Sequence, residues 1–556
     1  MNSITLTPPI WTTGTTESLK TGTWRAALPV YQEPPSPCHL ACPVEGRIAQ
    51  WMQQALARDW HGAWLTLTDN NPFPAIVGRV CHHPCESACN RGAYDAPLAI
   101  CALERYVGDR ALAQGWHHEP APVARKARIA IVGGGPSGLS AAYQLRRRGY
   151  AVTIFEAQPM LGGLLRDGIP PYRLPREVLD GEIARLLDLG IEVRTGVTLE
   201  TAAEFERLRA GFDALYLAMG ARRQKRLAQL DYAAPWVMDS AAYLAQANAG
   251  APPALGARLA VIGGGSAAID VARSARRAGC EVSLLALERE AQMPAQREEV
   301  VQAKEEGVAL LDGALLRTAV RTAGGVALEC VRVIFEPGPL QGEFRVTPIA
   351  GSEFTLAADA VVPAIGQDPD LAAVQSLARA AGALLWTDAS GATGSDGVFA
   401  GGDVASTARF VTHAIGMGRR AALAIDRRLQ ARSAASEDAR QALPPAAIHA
   451  SLDSINTYYY PHAARTERAH LEPAERLRGH AEVQLGLEME PALAEAARCF
   501  SCGRCISCDN CYYYCPDMAI RRVAGGYAVA GDYCKGCGLC VQECPTGSIA
   551  MREERK

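Results

Sequence analysis

RIAIVGGGPSG (Arg128–Gly138) is a short β-branched strand followed by a glycine turn and the start of an alanine-rich helix. The chain then returns to a second strand, AVTIF (Ala151–Phe155). A strand, a glycine turn, a helix and a second strand form the βαβ unit of a Rossmann-type domain. The same pattern recurs in RLAVIGGGSAA (Arg258–Ala268) and EVSLL (Glu281–Leu285). The sequence therefore predicts an α/β fold with two Rossmann-type dinucleotide-binding domains.

Two later segments indicate how these domains are connected. After the second βαβ unit the chain returns to a strand at Ala360–Ala364 and then to GVFAGGDVA (Gly397–Ala405). Because this last segment supplies a further strand and turn beyond the second unit, we expect the second domain to be inserted into the first.

The first glycine loop has the residue types of a flavin site. Gly133 permits the tight turn, Gly135 lets the backbone approach a pyrophosphate, and Gly138 permits close packing of the helix on the strand. The pyrophosphate would lie at the helix N-terminus, where unpaired N–H groups and the helix dipole favour anions. Glu156 ends the next strand, where a carboxylate can bond a ribose hydroxyl.

A second element supports this interpretation. Gly401-Gly402-Asp403 follows an apolar strand and precedes a predicted helix. The Asp403 carboxylate would hold the ribityl or pyrophosphate end of FAD. A tight turn with a helix cap would explain Asp403 alone, but it would not explain both glycine elements.

The second glycine loop predicts a nicotinamide site. Gly263 and Gly265 are followed by Ala268 in the third position, a common variant, and Ser266 opens the helix. A 2′-phosphate needs an arginine after the second strand, whereas a free 2′-hydroxyl prefers a carboxylate. Both Glu288 and Arg289 follow that strand, so these residues alone leave NAD and NADP open.

Two cysteine runs near the C-terminus have the C-x2-C-x2-C-x3-C-P spacing of two-cluster bacterial ferredoxins. Three cysteines on one tight loop can ligate three irons of a cube, and the fourth, before proline, ligates the other cube. The predicted [4Fe–4S] ligand sets are Cys505, Cys508, Cys511 and Cys544 for one cluster, and Cys534, Cys537, Cys540 and Cys515 for the other. Structural zinc is the alternative, but two complete runs with both prolines argue against it.

Composition limits the remaining classes. The net charge is −3, so no large basic field favours nucleic acid. No apolar run reaches the ~18 residues of a membrane helix, and the N-terminus lacks the pattern of a signal peptide. Eighteen cysteines without an export signal indicate metal or redox chemistry. We therefore expect a cytoplasmic protein with reduced thiols.

Further motifs identify a family resemblance. GGLLRDGIPPYRLP (Gly162–Pro175), MPA (Met293–Ala295) and GGDVA resemble the glutamate synthase small-subunit family of FAD oxidoreductases, which includes the N-terminal half of dihydropyrimidine dehydrogenase. The resemblance implies FAD in the first domain, with Gly163 and Arg166 among its contacts, and a pyridine nucleotide in the second. The last 60 or so residues are similar to the ferredoxin-like δ subunit of 2-oxoacid:ferredoxin oxidoreductases.

The resemblance also bears on the nucleotide. NADPH-using members usually carry paired arginines just after the second strand, and the corresponding residues here are Leu287 and Glu288. Glu288 would repel a 2′-phosphate, so NAD(H) is favoured, with Arg289 as the residue that could still accept NADP(H).

The N-terminal cysteines are interpreted through the same resemblance. It implies that one [4Fe–4S] cluster is ligated by Cys42, Cys81, Cys85 and Cys89. Cys38 corresponds to a ligand of a second cluster, but the C-x-x-C that precedes it in the family is absent. Cys499 and Cys502 could replace that pair, with Cys101 or Glu104 as the fourth ligand. The alternative is that Cys499 and Cys502 are buried and inert.

These features predict an FAD-dependent NAD(H) oxidoreductase that passes electrons between NAD(H), FAD and three [4Fe–4S] clusters, or four with Cys38, Cys499 and Cys502. No side-chain nucleophile or acid–base residue is required, because the cofactors supply the chemistry. We expect a subunit of a hetero-oligomer that acts with ferredoxin or with 2-oxoacid oxidoreductase subunits. The alternatives are a glutamate synthase small subunit, which does not usually carry a ferredoxin tail, and a non-catalytic iron–sulfur relay.

The predicted domains follow from these sites. They are an N-terminal α-helical [4Fe–4S] domain (1–124), the two parts of the FAD domain (125–257 and 366–430), the inserted NAD(P) domain (258–365), a connector (431–498) and a C-terminal ferredoxin-like α+β domain with two [4Fe–4S] clusters (499–556).

Overall fold

A computed structural model describes residues 20, 22, 25–339, 343–380, 384–433 and 449–554. Residues 1–19, which carry the prediction about a signal peptide, lie outside this range. Within it, no helix combines the length and apolar character needed to cross a membrane.

The N-terminal part is helical, as predicted. Its elements are β1 (Ala27–Tyr31), α1 (Pro37–Ala41), α2 (Ile48–Leu56), α3 (Trp60–Thr68), α4 (Pro74–Val80), α5 (Pro84–Ser87) and α6 (Ile100–Ala113). Ser36 caps α1 through the His39 N–H, and Asp59 caps α3 through the Gly62 N–H at 2.9 Å. Trp51 and Trp64 are fully buried among the helices.

The first Rossmann-type domain begins with a run of alternating strands and helices. The strands are β2 (Arg128–Val132), β3 (Ala151–Glu156), β4 (Glu192–Thr195), β5 (Ala214–Leu217) and β6 (Arg223–Gln224). The helices are α7 (Pro136–Arg146), α8 (Leu164–Asp167), α9 (Arg176–Leu187), α10 (Ala202–Gly211) and α11 (Ser240–Asn248). Their buried strands read as nearly continuous apolar runs, as expected of a parallel sheet covered on both faces.

The second domain follows directly. Its strands are β7 (Arg258–Ile262), β8 (Glu281–Leu285), β9 (Ala309–Leu311), β10 (Ala314–Thr322), β11 (Gly325–Pro337), β12 (Phe344–Ala358) and β13 (Ala360–Pro363), and its helices are α12 (Ser266–Arg277) and α13 (Arg297–Glu305). A parallel sheet has the order β13-β7-β8-β9, and β10, β11 and β12 form a separate antiparallel sheet.

The chain then re-enters the first domain through β14 (Gln367–Asp368), β15 (Val398–Ala400) and α14 (Val411–Ser433). The completed parallel sheet has the order β15-β5-β2-β3-β4. Strand β15, which follows the second domain, pairs with β5, which precedes it. The predicted insertion is therefore confirmed.

The C-terminal part contains α15 (Pro473–Arg476), α16 (Met489–Ala497), α17 (Asn510–Tyr513), β16 (Ile520–Val523), β17 (Gly526–Val529), α18 (Leu539–Gln542) and β18 (Ile549–Glu553). Strand β18 pairs antiparallel with β1, so Ala27 lies opposite Glu553. Residues 27–31, placed in the N-terminal domain from the sequence, thus complete the ferredoxin-like module. The predicted connector is also more than a surface link, because Ala492 and Ala496 of α16 are buried in the N-terminal helical core.

Candidate functional site: two nucleotide loops and four groups of thiols

Of the three motif glycines in the first loop, only one has open space where a side chain would stand. Gly133 has φ +106°, and a Cβ there would overlap the Ala218 carbonyl oxygen. A Cβ at Gly138 would overlap the Gly133 carbonyl oxygen. At Gly135, in contrast, the nearest atom to an added Cβ is the Gly163 Cα at 4.0 Å. The fold requires the outer glycines, and the middle one provides the room that a pyrophosphate needs.

The predicted ribose-binding carboxylate lies against this loop. Glu156 Oε2 accepts a hydrogen bond from the Gly134 N–H at 2.6 Å, and Oε1 accepts one from Gln158 at 2.8 Å. The segment after Glu156 also contacts the loop, since the Gly162 N–H donates to the Gly134 carbonyl at 2.9 Å. Gly163 has φ +53° and faces Gly135.

Arg166, predicted as a flavin contact, has protein partners. Its Nε donates to the Leu161 carbonyl at 2.8 Å, and its guanidinium pairs with Asp180. Arg166 therefore stabilises the loop that carries Gly163.

The Gly402-Asp403 turn meets the first loop. Gly402 has φ +75°, and an added Cβ would lie 3.1 Å from the Ser137 Cβ on the first turn of α7. Ser137 Oγ is 2.7 Å from the Tyr216 hydroxyl on β5, which fixes this junction. Asp403 accepts no hydrogen bond from the residues that the structure describes, and burial raises the pKa of its carboxyl. An unpaired, half-buried carboxylate here fits the hydroxyl groups of a flavin side chain.

The second glycine loop repeats the geometry of the first. Gly263 has φ +142° and packs against the Ala364 carbonyl, while no atom lies within 4 Å of a Cβ added at Gly265. An added Cβ at Gly264 would lie 2.5 Å from Glu288 Oε2. Glu288 thus stands against the middle of its loop, as Glu156 does in the first domain, and burial raises its pKa.

Arg289 lies further from the loop than Glu288. Its guanidinium is 3.5 Å from Asp312, and its side chain is 53% exposed. An added Cβ at Gly313 would lie 2.8 Å from Arg289 Nε, so the side chain extends along β9 and the turn after it. The Glu288 carboxylate, and not the Arg289 guanidinium, lies against Gly264 of the second loop.

The ferredoxin-like module brings together the thiols that the spacing predicts. Cys505, Cys508, Cys511 and Cys544 line one cavity, and the Tyr31 hydroxyl donates to Cys511 Sγ at 3.1 Å. The remaining four thiols form a second group: burial and the neighbouring Cys534, Cys515 and Cys537 raise the pKa of Cys540 to about 12. Four sulfurs around a void, with donors directed at them, fit a [4Fe–4S] cube.

A third group lies in the N-terminal domain. Cys42, Cys81 and Cys85 interact electrostatically with one another and with Glu104. Burial raises the pKa of Glu104 to about 8, and Asn71 Nδ2 donates to its Oε1 at 2.6 Å. The Glu104 carboxylate and these three thiols together offer four ligands, the number that a [4Fe–4S] cube takes.

The fourth group contains Cys89, which the family resemblance placed with the third. Cys38, Cys89, Cys499 and Cys502 line one cavity. The reason for the difference is local: α5 ends at Ser87 and the chain turns into a 3-10 helix at Asn90–Ala93, so Cys85 and Cys89 do not share a helix face.

Cys101, named from the sequence as a possible ligand beside Cys38, lies instead near the third group, where it interacts electrostatically with Cys81 and Glu104. Its Sγ donates to the Gly78 carbonyl at 3.3 Å. Glu104, the other residue named for the fourth position, lies with Cys42 and not with Cys38.

The third group touches the flavin domain. Cys81 Sγ lies 3.9 Å from Thr412 Oγ1 on the first turn of α14, the helix that follows the Gly402-Asp403 turn. Gly416 of the same helix packs so closely on the Pro43 carbonyl that no Cβ would fit. The centroids of the His82 and Phe410 rings are 4.3 Å apart.

Three family models match the chain. Residues 125–418 match the model described as pyridine nucleotide-disulphide oxidoreductase, residues 31–116 match dihydropyrimidine dehydrogenase domain II with its 4Fe-4S cluster, and residues 504–549 match a 4Fe-4S dicluster domain. The first match covers more than half of the sequence.

Curated relatives agree with these models. The chain is 34% identical to the NADP(+)-dependent formate dehydrogenase subunit beta of Moorella thermoacetica, over 84% of this chain and 70% of the relative. It is 31% identical to the NAD-dependent dihydropyrimidine dehydrogenase subunit PreT of Escherichia coli K12 (71% and 91%). It is 33% identical to the glutamate synthase [NADPH] small chain of Mycobacterium tuberculosis H37Rv (71% and 86%).

Proposed function

Because this chain belongs to the pyridine nucleotide-disulphide oxidoreductase family, we propose that it is an electron-transfer subunit that connects NAD(H), through FAD, to [4Fe–4S] clusters and a partner protein. It is a flavin-dependent pyridine-nucleotide oxidoreductase with iron–sulfur clusters. The observation that carries the proposal is the contact between Cys81 and Thr412, which brings the third thiol group against the helix of the flavin domain.

The two nucleotide loops would position the reactants. The N-terminus of α7 and Gly135 would hold the FAD pyrophosphate, Glu156 the adenosine ribose and Asp403 the ribityl chain. The N-terminus of α12, beginning at Ser266, would hold the pyrophosphate of the nicotinamide nucleotide.

Bound FAD supplies the ability to exchange electrons with a nicotinamide in pairs and with iron–sulfur clusters singly. NADH becomes NAD+ by losing a hydride, which consists of two electrons and one proton. The two electrons of one NADH would suffice for two one-electron clusters held by the cysteine thiols, with release of one proton. The cysteine and Glu104 side chains would hold the cubes, and no protein acid or base has to act.

We propose NAD(H) as the preferred nucleotide. Glu288 lies where a ribose 2′-hydroxyl would be bonded, and a carboxylate there opposes a 2′-phosphate. The names of the relatives include both NAD- and NADP-dependent proteins, so the preference rests on the position of Glu288 in this chain.

The ferredoxin-like module would exchange electrons with the partner. Cys508 and Cys537 are exposed, which places one ligand of each cube at the surface. The δ-subunit resemblance favours a 2-oxoacid oxidoreductase or free ferredoxin as the partner. The formate dehydrogenase relative favours a catalytic subunit with another oxidisable substrate.

The direct test is anaerobic NADH oxidation by the isolated chain with a one-electron dye as acceptor. We expect steady turnover that requires bound FAD. A non-catalytic iron–sulfur relay would carry its clusters but show no NADH-dependent dye reduction, and that result would refute the proposal. A glutamate synthase small subunit would instead support glutamate formation when mixed with a glutamate synthase large subunit.

A further inference from the structure

The fourth group of thiols joins the two ends of the chain. Cys38 follows β1 and Cys89 follows α5, whereas Cys499 and Cys502 come from the segment before the ferredoxin run. All four line one cavity, together with apolar side chains of α2 such as Ile48 and Met52. The two matched iron–sulfur models cover residues 31–116 and 504–549, so neither includes Cys499 or Cys502.

We propose that Cys38, Cys89, Cys499 and Cys502 ligate a fourth [4Fe–4S] cluster, which bridges the N-terminal domain and the ferredoxin-like module. This inference rests on the proposed function, because it supplies that function with an additional electron carrier. The pair Cys499-x-x-Cys502 would replace a ligand pair that the family has upstream of Cys38 and that this chain lacks.

The backbone of the Cys499–Cys502 loop matches the two ferredoxin loops. In each, a residue with positive φ stands on both sides of the second cysteine: Ser501 (+50°) and Gly503 (+74°), Ser507 (+56°) and Asp509 (+64°), and Gly536 (+74°) and Gly538 (+80°). A left-handed conformation is unfavourable for serine, tolerated by aspartate and freely adopted by glycine, and strained residues such as Ser501 and Ser507 concentrate at functional sites. The first loop therefore shares its backbone conformation with two loops whose spacing is that of cluster ligands.

Hydrogen-bond donors are directed at the sulfurs of this group. The Ser501 N–H donates to Cys499 Sγ at 3.4 Å, and Asn90 Nδ2 donates to Cys502 Sγ at 3.4 Å. Ser36 Oγ is 3.1 Å from Cys38 Sγ. Such bonds tune the reduction potential of thiolate-ligated clusters.

The surrounding structure holds the C-terminal pair in place. The buried Arg91 donates to the Arg498 carbonyl at 2.5 Å and to the Pro461 carbonyl at 2.7 Å. Gly503 packs on the Pro34 carbonyl with no room for a Cβ, and its N–H donates to the Thr546 carbonyl at 2.7 Å. These contacts tie the loop to both the N-terminal strand segment and the ferredoxin-like module.

The fourth group lies between two other groups of thiols. Cys38 and Cys42 lie one helical turn apart around α1, so the fourth group adjoins the third. On the other side, Tyr460 lies close enough to Cys499, Cys502, Cys508 and Cys544 to interact with all four, and its hydroxyl donates to the Phe500 carbonyl at 2.9 Å. The site thus separates the flavin-proximal group from the first ferredoxin group.

Iron and acid-labile sulfide counts of anaerobically purified protein test the proposal. We expect about sixteen irons per chain, four for each cube, against about twelve without the fourth cluster. Cys499→Ser/Cys502→Ser should lose about four irons, and Cys89→Ser should lose about the same four. The triple variant should lose about four as well, because all three residues would serve one cube. The matched control is Cys280→Ser in the second Rossmann-type domain, which should lose none.

Three results would overturn the proposal: a wild-type count near twelve, a triple variant that loses about eight irons, or one zinc per chain that disappears in Cys499→Ser/Cys502→Ser. The wild-type count needs no variant, so poor folding of a variant cannot hide the answer. FAD content, measured on the same samples, reports on the proposed function separately: protein that holds sixteen irons but no FAD would retain the site and refute the function.

Discussion

Removing the charge of Glu288 should weaken the preference for NADH over NADPH. The carboxylate lies beside Gly264 at the ribose side of the second loop and is half-buried. With an effective dielectric constant of about 20 and a separation of about 5 Å, one pair of like charges costs about 3 kcal/mol. Partial exposure and salt lower this figure to about 1–3 kcal/mol, which corresponds to roughly 5- to 150-fold in kcat/KM.

Glu288→Gln keeps the shape of the side chain and should therefore raise kcat/KM for NADPH by about this factor. It should also lower kcat/KM for NADH by roughly tenfold, since a hydrogen bond to a charged acceptor is replaced by one to a neutral acceptor. Glu290→Gln is the matched control: Glu290 pairs with Lys304 at 2.9 Å at the surface, and its loss should leave the ratio unchanged.

The assay is dye reduction by the isolated chain at a range of NADH and NADPH concentrations. Equal use of both nucleotides by the wild type, with no change of the ratio in Glu288→Gln, would show that Glu288 does not select between NADH and NADPH. If Arg289→Ala then abolished NADPH turnover, Arg289 would be identified as the residue that binds the phosphate.

Other substitutions test the packing. Gly135→Val should yield protein with its irons but without FAD, because the side chain fills space that the protein leaves open; Gly138→Val, which overlaps the loop itself, should instead lower the thermal stability, as measured by the unfolding midpoint. Arg173→Met should lower the free energy of unfolding in urea by about 3–5 kcal/mol. The substitution removes the guanidinium that pairs with the buried carboxylates of Asp270 and Glu299. Lys304→Met removes only an exposed pair and should cost at most about 1 kcal/mol.

Much of the fold follows from local sequence patterns. The glycine loops, the carboxylates after the second strands and the ferredoxin spacing each lie within about 30 residues, and local geometry decides them. The insertion of one Rossmann-type domain in the other was also predictable, because β15 carries its own glycine turn. The pairing of β1 with β18 was not, because a single short strand carries no signal for a partner about 520 residues away.

Sequence motifs did not predict how the N-terminal thiols are grouped. The family resemblance placed Cys85 and Cys89 in one cluster, but the break between α5 and the next turn separates them. Whether Glu104 lies near Cys42 or near Cys38 depends on how α6 packs against α4, and that packing is set by tertiary contacts that no single stretch of sequence encodes. The sequence suggested Cys499 and Cys502 as ligands beside Cys38 only because the C-x-x-C pair that the family has before Cys38 is absent.

Rapid-mixing spectroscopy measures electron exchange between the nicotinamide and the clusters, on which the proposed function depends. Oxidised protein would be mixed with NADH, and chemically reduced protein with NAD+, both without oxygen, while electron paramagnetic resonance follows the clusters. We expect that in at least one direction the cluster signals change at the stoichiometry of two cluster electrons per nucleotide, and that FAD-free Gly135→Val shows no change. Clusters that neither gain electrons from NADH nor lose them to NAD+ in FAD-replete protein would contradict the proposed function.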